Sequence, residues 1–200
     1  GQAIELNRDF APAYLGRFQA RRAAGEPGDL RSDLDEALLI DPNLGTAYLE
    51  RAALSLEEED LEAAQEDLLS AAELLPDSPL LAYYNALYAF EIGETNQALQ
   101  DARRAHLLDE TYLPAYRLWG ELALVNSEPD EAVEALGTYL IYQPQDVSAW
   151  VLIGQAHLAQ EEYAQALKSV ERALSINRSA PGIYYLRGLI QLEQGEGQKA

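Results

Sequence analysis

The 200-residue sequence contains no cysteine and no methionine, and only two histidines. Without cysteine there is no disulfide framework, no thiolate metal site and no sulfur nucleophile. Lysine is nearly absent too, at Lys168 and Lys199 alone. Fourteen cationic side chains face 34 Asp and Glu, a net charge of −20. Such a charge opposes a phosphate backbone and an anionic membrane surface, so neither nucleic acid nor a bilayer is the expected partner. No apolar run approaches the roughly 18–20 residues of a membrane-spanning helix, and no charged-then-apolar leader opens the chain. The lack of Met even at the first position reads as a segment cut from a longer chain. Absence of Cys fits both cytoplasm and exterior; the compartment stays open, with the cytoplasm slightly favoured.

Catalytic signatures are equally sparse. No GxxxxGK[ST] or GxGxxG string occurs, so no phosphate cradle forms. Ser127, Ser148 and Ser169 lack a glycine-flanked elbow and a histidine partner. His106 reads as a surface residue and His157 as a packing residue, and neither has a ligand at the i+4 spacing of a helical metal pair. Glu57-Glu58-Glu59-Asp60 lacks the alternating ligands and central glycine of a calcium loop, and reads as a turn capping a helix from Leu61. From Glu50 to Asp77 ten acidic residues accompany one cation, Arg51, which predicts an acidic band. The expectation is a chain with no catalytic residue, no metal and no cofactor.

What is present is a period. With 48% apolar residues the chain can bury a core. Steps of 34 link Ala3, Ala37, Ala71, Ala105, Tyr139 and Ala173, and likewise Leu6, Ile40, Leu74, Leu108, Tyr142 and Ile176. Tyr14, Tyr48, Tyr116, Trp150 and Tyr184 share an aromatic slot broken only by Ala82. Ala52, Ala86, Gly120, Gly154 and Gly188 share a small-residue slot, matched by another at Ala64, Ala98, Ala132, Ala166 and Ala200. A fixed period in this range is the mark of a repeat architecture. Within the unit, apolar residues recur every three and four positions, as from Tyr48 to Leu56, which predicts helices. Gly25, Gly93 and Gly195 occupy the turn slot, where Glu59, Ser127 and Glu161 stand in the other units. Ser78 before Pro79 reads as a helix cap, and Ser127 before Pro129 reads likewise. Small residues in both helices permit close approach, pairing Ala52 with Ala64, Gly120 with Ala132 and Gly154 with Ala166. The first unit breaks this rule with Phe18 and Leu30, which predicts that helices over 13–24 and 29–40 sit further apart or rotated, the Glu26-Pro27-Gly28 turn making room.

An early aromatic, Gly or Ala four later, Ala after the turn, Ala seven further on, and Pro42, Pro76 or Pro144 at the unit's end together resemble the tetratricopeptide repeat. Strings such as Ala47-Tyr48-Leu49-Glu50-Arg51-Ala52 resemble bacterial-type arrays. The resemblance implies an all-α, right-handed α-solenoid of stacked antiparallel helix pairs. Five full repeats fall at 11–44, 45–78, 79–112, 113–146 and 147–180 in a single array. Residues 1–10 resemble the end of a preceding repeat and 181–200 a truncated sixth.

The family's first helices line a concave groove that usually holds peptide ligands. The solvent-facing slots there include Leu49, Glu50 and Ala53. Tyr83, Tyr84, Leu87 and Phe90 follow, then Arg117, Leu118 and Glu121, then Gln155 and Tyr185. An exposed apolar patch marks a partner site, and tyrosines favour binding hot spots. The Lys, Asn and Arg clamp of the family's chaperone adaptors does not assemble, because the matching slots hold Leu15, Gln19, Glu50, Leu80 and Tyr84. The resemblance thus implies a non-catalytic protein-interaction scaffold for a segment with apolar anchors and some basic residues. The alternative is a structural or oligomerisation arm whose groove is filled by its own parent chain or a second copy.

Overall fold

The computed structural model describes residues 2–26 and 28–196. Pro27, Lys199 and Ala200 therefore lie outside the described residues. Among these there are twelve α-helices and no strand, and no helix is long and apolar enough to cross a membrane. The chain falls into two compact units, Gly1–Glu94 and Thr95–Ala200. The first holds α1 (Gln2–Leu6), α2 (Ala11–Ala23), α3 (Arg31–Ile40), α4 (Gly45–Glu57), α5 (Leu61–Leu74) and α6 (Pro79–Glu91). The second holds α7 (Thr95–Leu108), α8 (Leu113–Val125), α9 (Pro129–Tyr142), α10 (Val147–Ala159), α11 (Tyr163–Ile176) and α12 (Pro181–Gln191). In each unit consecutive helices pack as antiparallel pairs stacked in chain order, α2 on α3 and α4 on α5, then α8 on α9 and α10 on α11. The fold class is an all-α solenoid.

The periodicity appears directly in the helix starts. First helices begin at Ala11, Gly45, Pro79, Leu113, Val147 and Pro181, always 34 apart. Second helices begin at Leu61, Thr95, Pro129 and Tyr163 with the same step. Between the two, the turn slot is left-handed every time: Gly25, Glu59, Gly93, Ser127, Glu161 and Gly195 all have φ between 60° and 82°. Asp60 N–H donates to the Ser55 carbonyl and Glu59 N–H to that of Leu56, so the last carbonyls of α4 are satisfied inside the turn. The same pair of bonds recurs after α2, α6, α8 and α10. Ser127 is thus the reversal residue, and the α9 N-cap is Glu128 without a side-chain bond. Ser78, by contrast, accepts from Leu81 N–H at 3.3 Å, and Asp60 accepts from Ala63 N–H at 3.1 Å.

Small residues line the seams. Ala52, Ala64, Ala132 and Ala166 have no exposed surface. A Cβ on Gly120 would fall 2.5 Å from Cγ of Leu136, itself fully buried. A Cβ on Gly154 would meet only ordinary contacts at 3.5 Å. The first pair solves its bulk differently. Phe18 is fully buried against Leu34, Ala37, Leu38, Ala47 and Leu54. Its partner helix α3 begins at Arg31, four residues later than the 34-residue step from α5 implies. Leu30, in the slot that is Ala inside the other second helices, becomes the N-cap of α3 instead. One helical turn is given up, and the ring of Phe18 takes the space.

Buried ion pairs add to the first unit. Arg17 Nε donates to both carboxylate oxygens of Asp33 at 3.0 Å, and Arg51 donates to Asp67 at 2.9 and 2.7 Å. Both carboxylates are almost fully buried. The two pairs are one repeat apart, so each pins a first helix to its second helix by a bidentate contact.

Three outcomes follow from this geometry. A non-glycine residue held at φ 60° is strained, so Glu59→Gly, Ser127→Gly and Glu161→Gly each raise stability by about 0.5–1 kcal/mol in urea unfolding. In the same assay Gly120→Ala lowers stability by about 1–3 kcal/mol through overpacking. Gly154→Ala leaves it unchanged or raises it by up to about 1 kcal/mol.

Candidate functional site

Ser78 and Pro79 fix the start of α6, and the next residues divide it into two faces. Leu81, Ala82, Ala86 and Ala89 are buried. Tyr83, Tyr84, Leu87 and Phe90 fall on another face at i, i+1, i+4 and i+7. Tyr83 and Tyr84 meet edge to face with ring centroids 5.5 Å apart. Leu87 is half-buried, and Phe90 is 42% exposed at the end of the helix.

Charged side chains of α2 and α4 gather next to Tyr84. Arg22 reaches Glu50 at 3.5 Å and pairs with Glu57. Gln19 Nε2 donates to Glu50 Oε1 at 3.2 Å. Burial, with Glu50 adding to it, pushes the Tyr84 hydroxyl up to about 12, and Arg22 pulls weakly the other way. The neutral phenol is therefore the form this site holds. Arg22 and Gln19 stand 68 residues, two repeat steps, before Phe90 and Leu87. That spacing is the signal by which Arg22 could have been found from sequence.

The acidic band is in part neutralised. Glu50 and Glu57 face Arg22, Glu58 faces Arg31, and Asp67 faces Arg51. Three further expectations are corrected. Leu49, Ala53 and Leu118 are buried rather than solvent-facing, at 1%, 3% and 7% exposure. Leu49 packs with Ala52, Leu68, Ala71 and Leu81. Leu118 sits on α8, which has α7, α9 and α10 as neighbours, and an aliphatic side chain with no polar end goes into such a seam.

In the second unit, Arg117 bridges to Glu121 at 3.0 Å and approaches Asp146 at 3.8 Å. Burial pushes the Glu121 carboxyl above its ordinary range, with Arg117 opposing. Gln155 is exposed on α10, and Tyr185 is 74% exposed on α12. His106 is not a surface residue. Its ring stacks on Trp119 at 5.2 Å and leans on Tyr116 at 4.4 Å, with Nδ1 buried and lacking a hydrogen-bond partner. His157 Nδ1 lies 2.8 Å from Glu162 Oε2. Among the described residues no cluster of three or more His, Asp or Glu is arranged to hold a metal ion.

Stacked helical hairpins with open aromatic and charged side chains on their first helices define a protein–protein interaction scaffold. Residues 117–182 and 153–200 match the family model described as tetratricopeptide repeat. With the same 34-residue step running back to Ala11, the chain is a tetratricopeptide-repeat protein. It is similar to the cell division cycle protein 27 homolog of Caenorhabditis elegans, at 35% identity over 81 residues, 40% of this chain. The chain spans about a tenth of that relative's length. The crystal structure of the APC/C hetero-tetramer Cut9–Hcn1 matches with TM-score 0.83 and 19% identity, over 94% of this chain and 38% of that one. YrrB, described as a TPR protein with an unusual peptide-binding site, matches with TM-score 0.70 and 21% identity, over 92% and 95% of the two chains.

The Tyr84 environment gives a pH prediction. The unfolded chain releases this proton near pH 10 and the folded chain near 12, so stability falls as pH rises across that window. A spectrophotometric titration differenced against Tyr84→Phe finds the missing phenol ionising near 12, and Glu50→Gln brings it down.

Proposed function

We propose that the first helices of this array bind an extended or helical protein segment, and that the Gly1–Glu94 unit presents its main anchor site at Tyr83, Tyr84, Leu87 and Phe90. The observation that carries this reading is the aromatic face of α6, half-buried at Tyr83 and Tyr84 and exposed at Phe90. Phe90 keeps 42% of its surface exposed beside the Tyr83–Tyr84 pair, although the opposite face of the same helix is buried. Tyrosine and phenylalanine contribute large contact area at low entropic cost, as binding anchors do. Apolar side chains of the segment fill the surface between Tyr84 and Phe90. A Lys or Arg beside them competes with Arg22 for Glu50 and Glu57. Arg117, Glu121, Gln155 and Tyr185 serve the same role in the second unit, and Leu118 supports them from within. The repeats at 11–44, 45–78, 79–112, 113–146 and 147–180 are the units of this scaffold. Family members are in general non-catalytic scaffolds, and a peptide-binding site in the fold neighbour YrrB supports the reading.

Affinity capture with this chain is compared with a Tyr83→Ala/Tyr84→Ala/Phe90→Ala variant whose helicity is checked by circular dichroism. The expected outcome is a protein retained by the parent chain and lost by the folded variant. Synthetic peptides of that protein then bind at least tenfold more weakly to the variant, and lose affinity when their apolar residues become Ala. Equal retention by both chains overturns the reading. Concentration-dependent mass in light scattering, with nothing else captured, assigns the role of a structural arm instead.

A further inference from the structure

A second surface of the Gly1–Glu94 unit runs along α5. Leu69 of α5 is 64% exposed. It stands at the mouth of a hollow of about 170 Å³ between α5 and α6, lined also by Gln65, Leu68, Ala72, Asn85 and Tyr88. Leu68 is buried at its floor, and Ala72 and Tyr88 are half-buried. The hollow is too small for a whole ligand and suits a single apolar side chain set beside Leu69.

Around it stand three carboxylates. Glu62, Glu66 and Glu73 are all exposed and lie seven and three residues before Leu69 and four after it, so all share its face of the helix. Five of the six arginines of this unit, all but Arg8 ahead of α2, are engaged elsewhere: Arg17 and Arg21 on Asp33, Arg22 on Glu50 and Glu57, Arg31 on Glu58, and Arg51 on Asp35 and Asp67. None of the three glutamates forms an ion pair among the described residues. Like charges at this spacing on one helix repel one another, so this face gains from an incoming cation.

We infer that the exposed face of α5 docks a cationic amphipathic helix of another protein, its apolar anchor in the hollow beside Leu69 and its Lys or Arg residues against Glu62, Glu66 and Glu73. Charge selects this occupant. A second copy of the chain brings another −20 and is repelled, whereas a basic helix is complementary in both charge and shape. This inference is independent of the α6 reading and concerns different residues.

The probe is an 18-residue synthetic helix with leucines along one face and lysines elsewhere, beside a counterpart with glutamate for lysine. Binding to the 200-residue chain is followed by fluorescence anisotropy at two salt concentrations. The lysine peptide binds, weakens with added salt, and binds at least tenfold more weakly to a Leu69→Ala/Glu62→Gln/Glu66→Gln/Glu73→Gln variant. All four positions are exposed, so folding is retained, and circular dichroism checks it. Because a cation is drawn to any chain of this charge, a Glu110→Gln/Glu134→Gln/Glu171→Gln variant removes the same three charges from the other unit. It retains parental affinity within about twofold. The inference is overturned if the two glutamine variants weaken binding equally, or if the glutamate peptide binds as well as the lysine one.

Discussion

One residue per hairpin, held left-handed, is the constraint on which the structure depends. Between α4 and α5, α8 and α9, and α10 and α11 it reverses the chain within three residues, so the second helix runs back against the first with no slack. The two helices must then touch along their whole length, and the seam accepts only small side chains unless one helix is shortened. Gly120 facing Leu136 shows the first solution, and Phe18 beside the shortened α3 shows the second. Three of the six reversal residues are Glu or Ser, which carry the strain of that conformation for the sake of the turn.

The tight hairpin also decides where the charge goes. In the first unit, side chains from neighbouring helices come close enough for five arginines to engage acidic partners, two of them bidentate to the nearly buried carboxylates of Asp33 and Asp67. A buried carboxylate is tolerable only when paired in this way. The consequence reaches the surface. Glu50 and Glu57 are drawn into the Arg22 cluster, while Glu62, Glu66 and Glu73 keep their charge toward solvent. A net charge of −20 is thus unevenly felt, balanced beside Tyr84 and uncompensated along α5.

The helices, their spacing and the reversal slots were legible because they rest on local rules. Six residues that look unrelated, three Gly and three others, share one backbone conformation because they share one position in a 34-residue step. The candidate site was less legible. Placement on a helix face put Tyr83, Tyr84 and Phe90 at the open side of α6, but the same rule put Leu49, Ala53 and Leu118 there as well. Those three are covered by neighbouring helices, which no single-helix pattern can report. His106 is a comparable case, since its stacking partners come from the next helix.

By itself, then, the sequence determined the period, the class of fold, the turn positions and the faces of each helix, since propensity, capping and helical geometry act over a few residues. Tertiary structure alone decided which of those faces stay open, which carboxylates are neutralised, and where α3 gives up a turn to Phe18. Burial and ion pairing depend on atoms brought together from distant parts of the chain, and those distances exist only after the helices have packed.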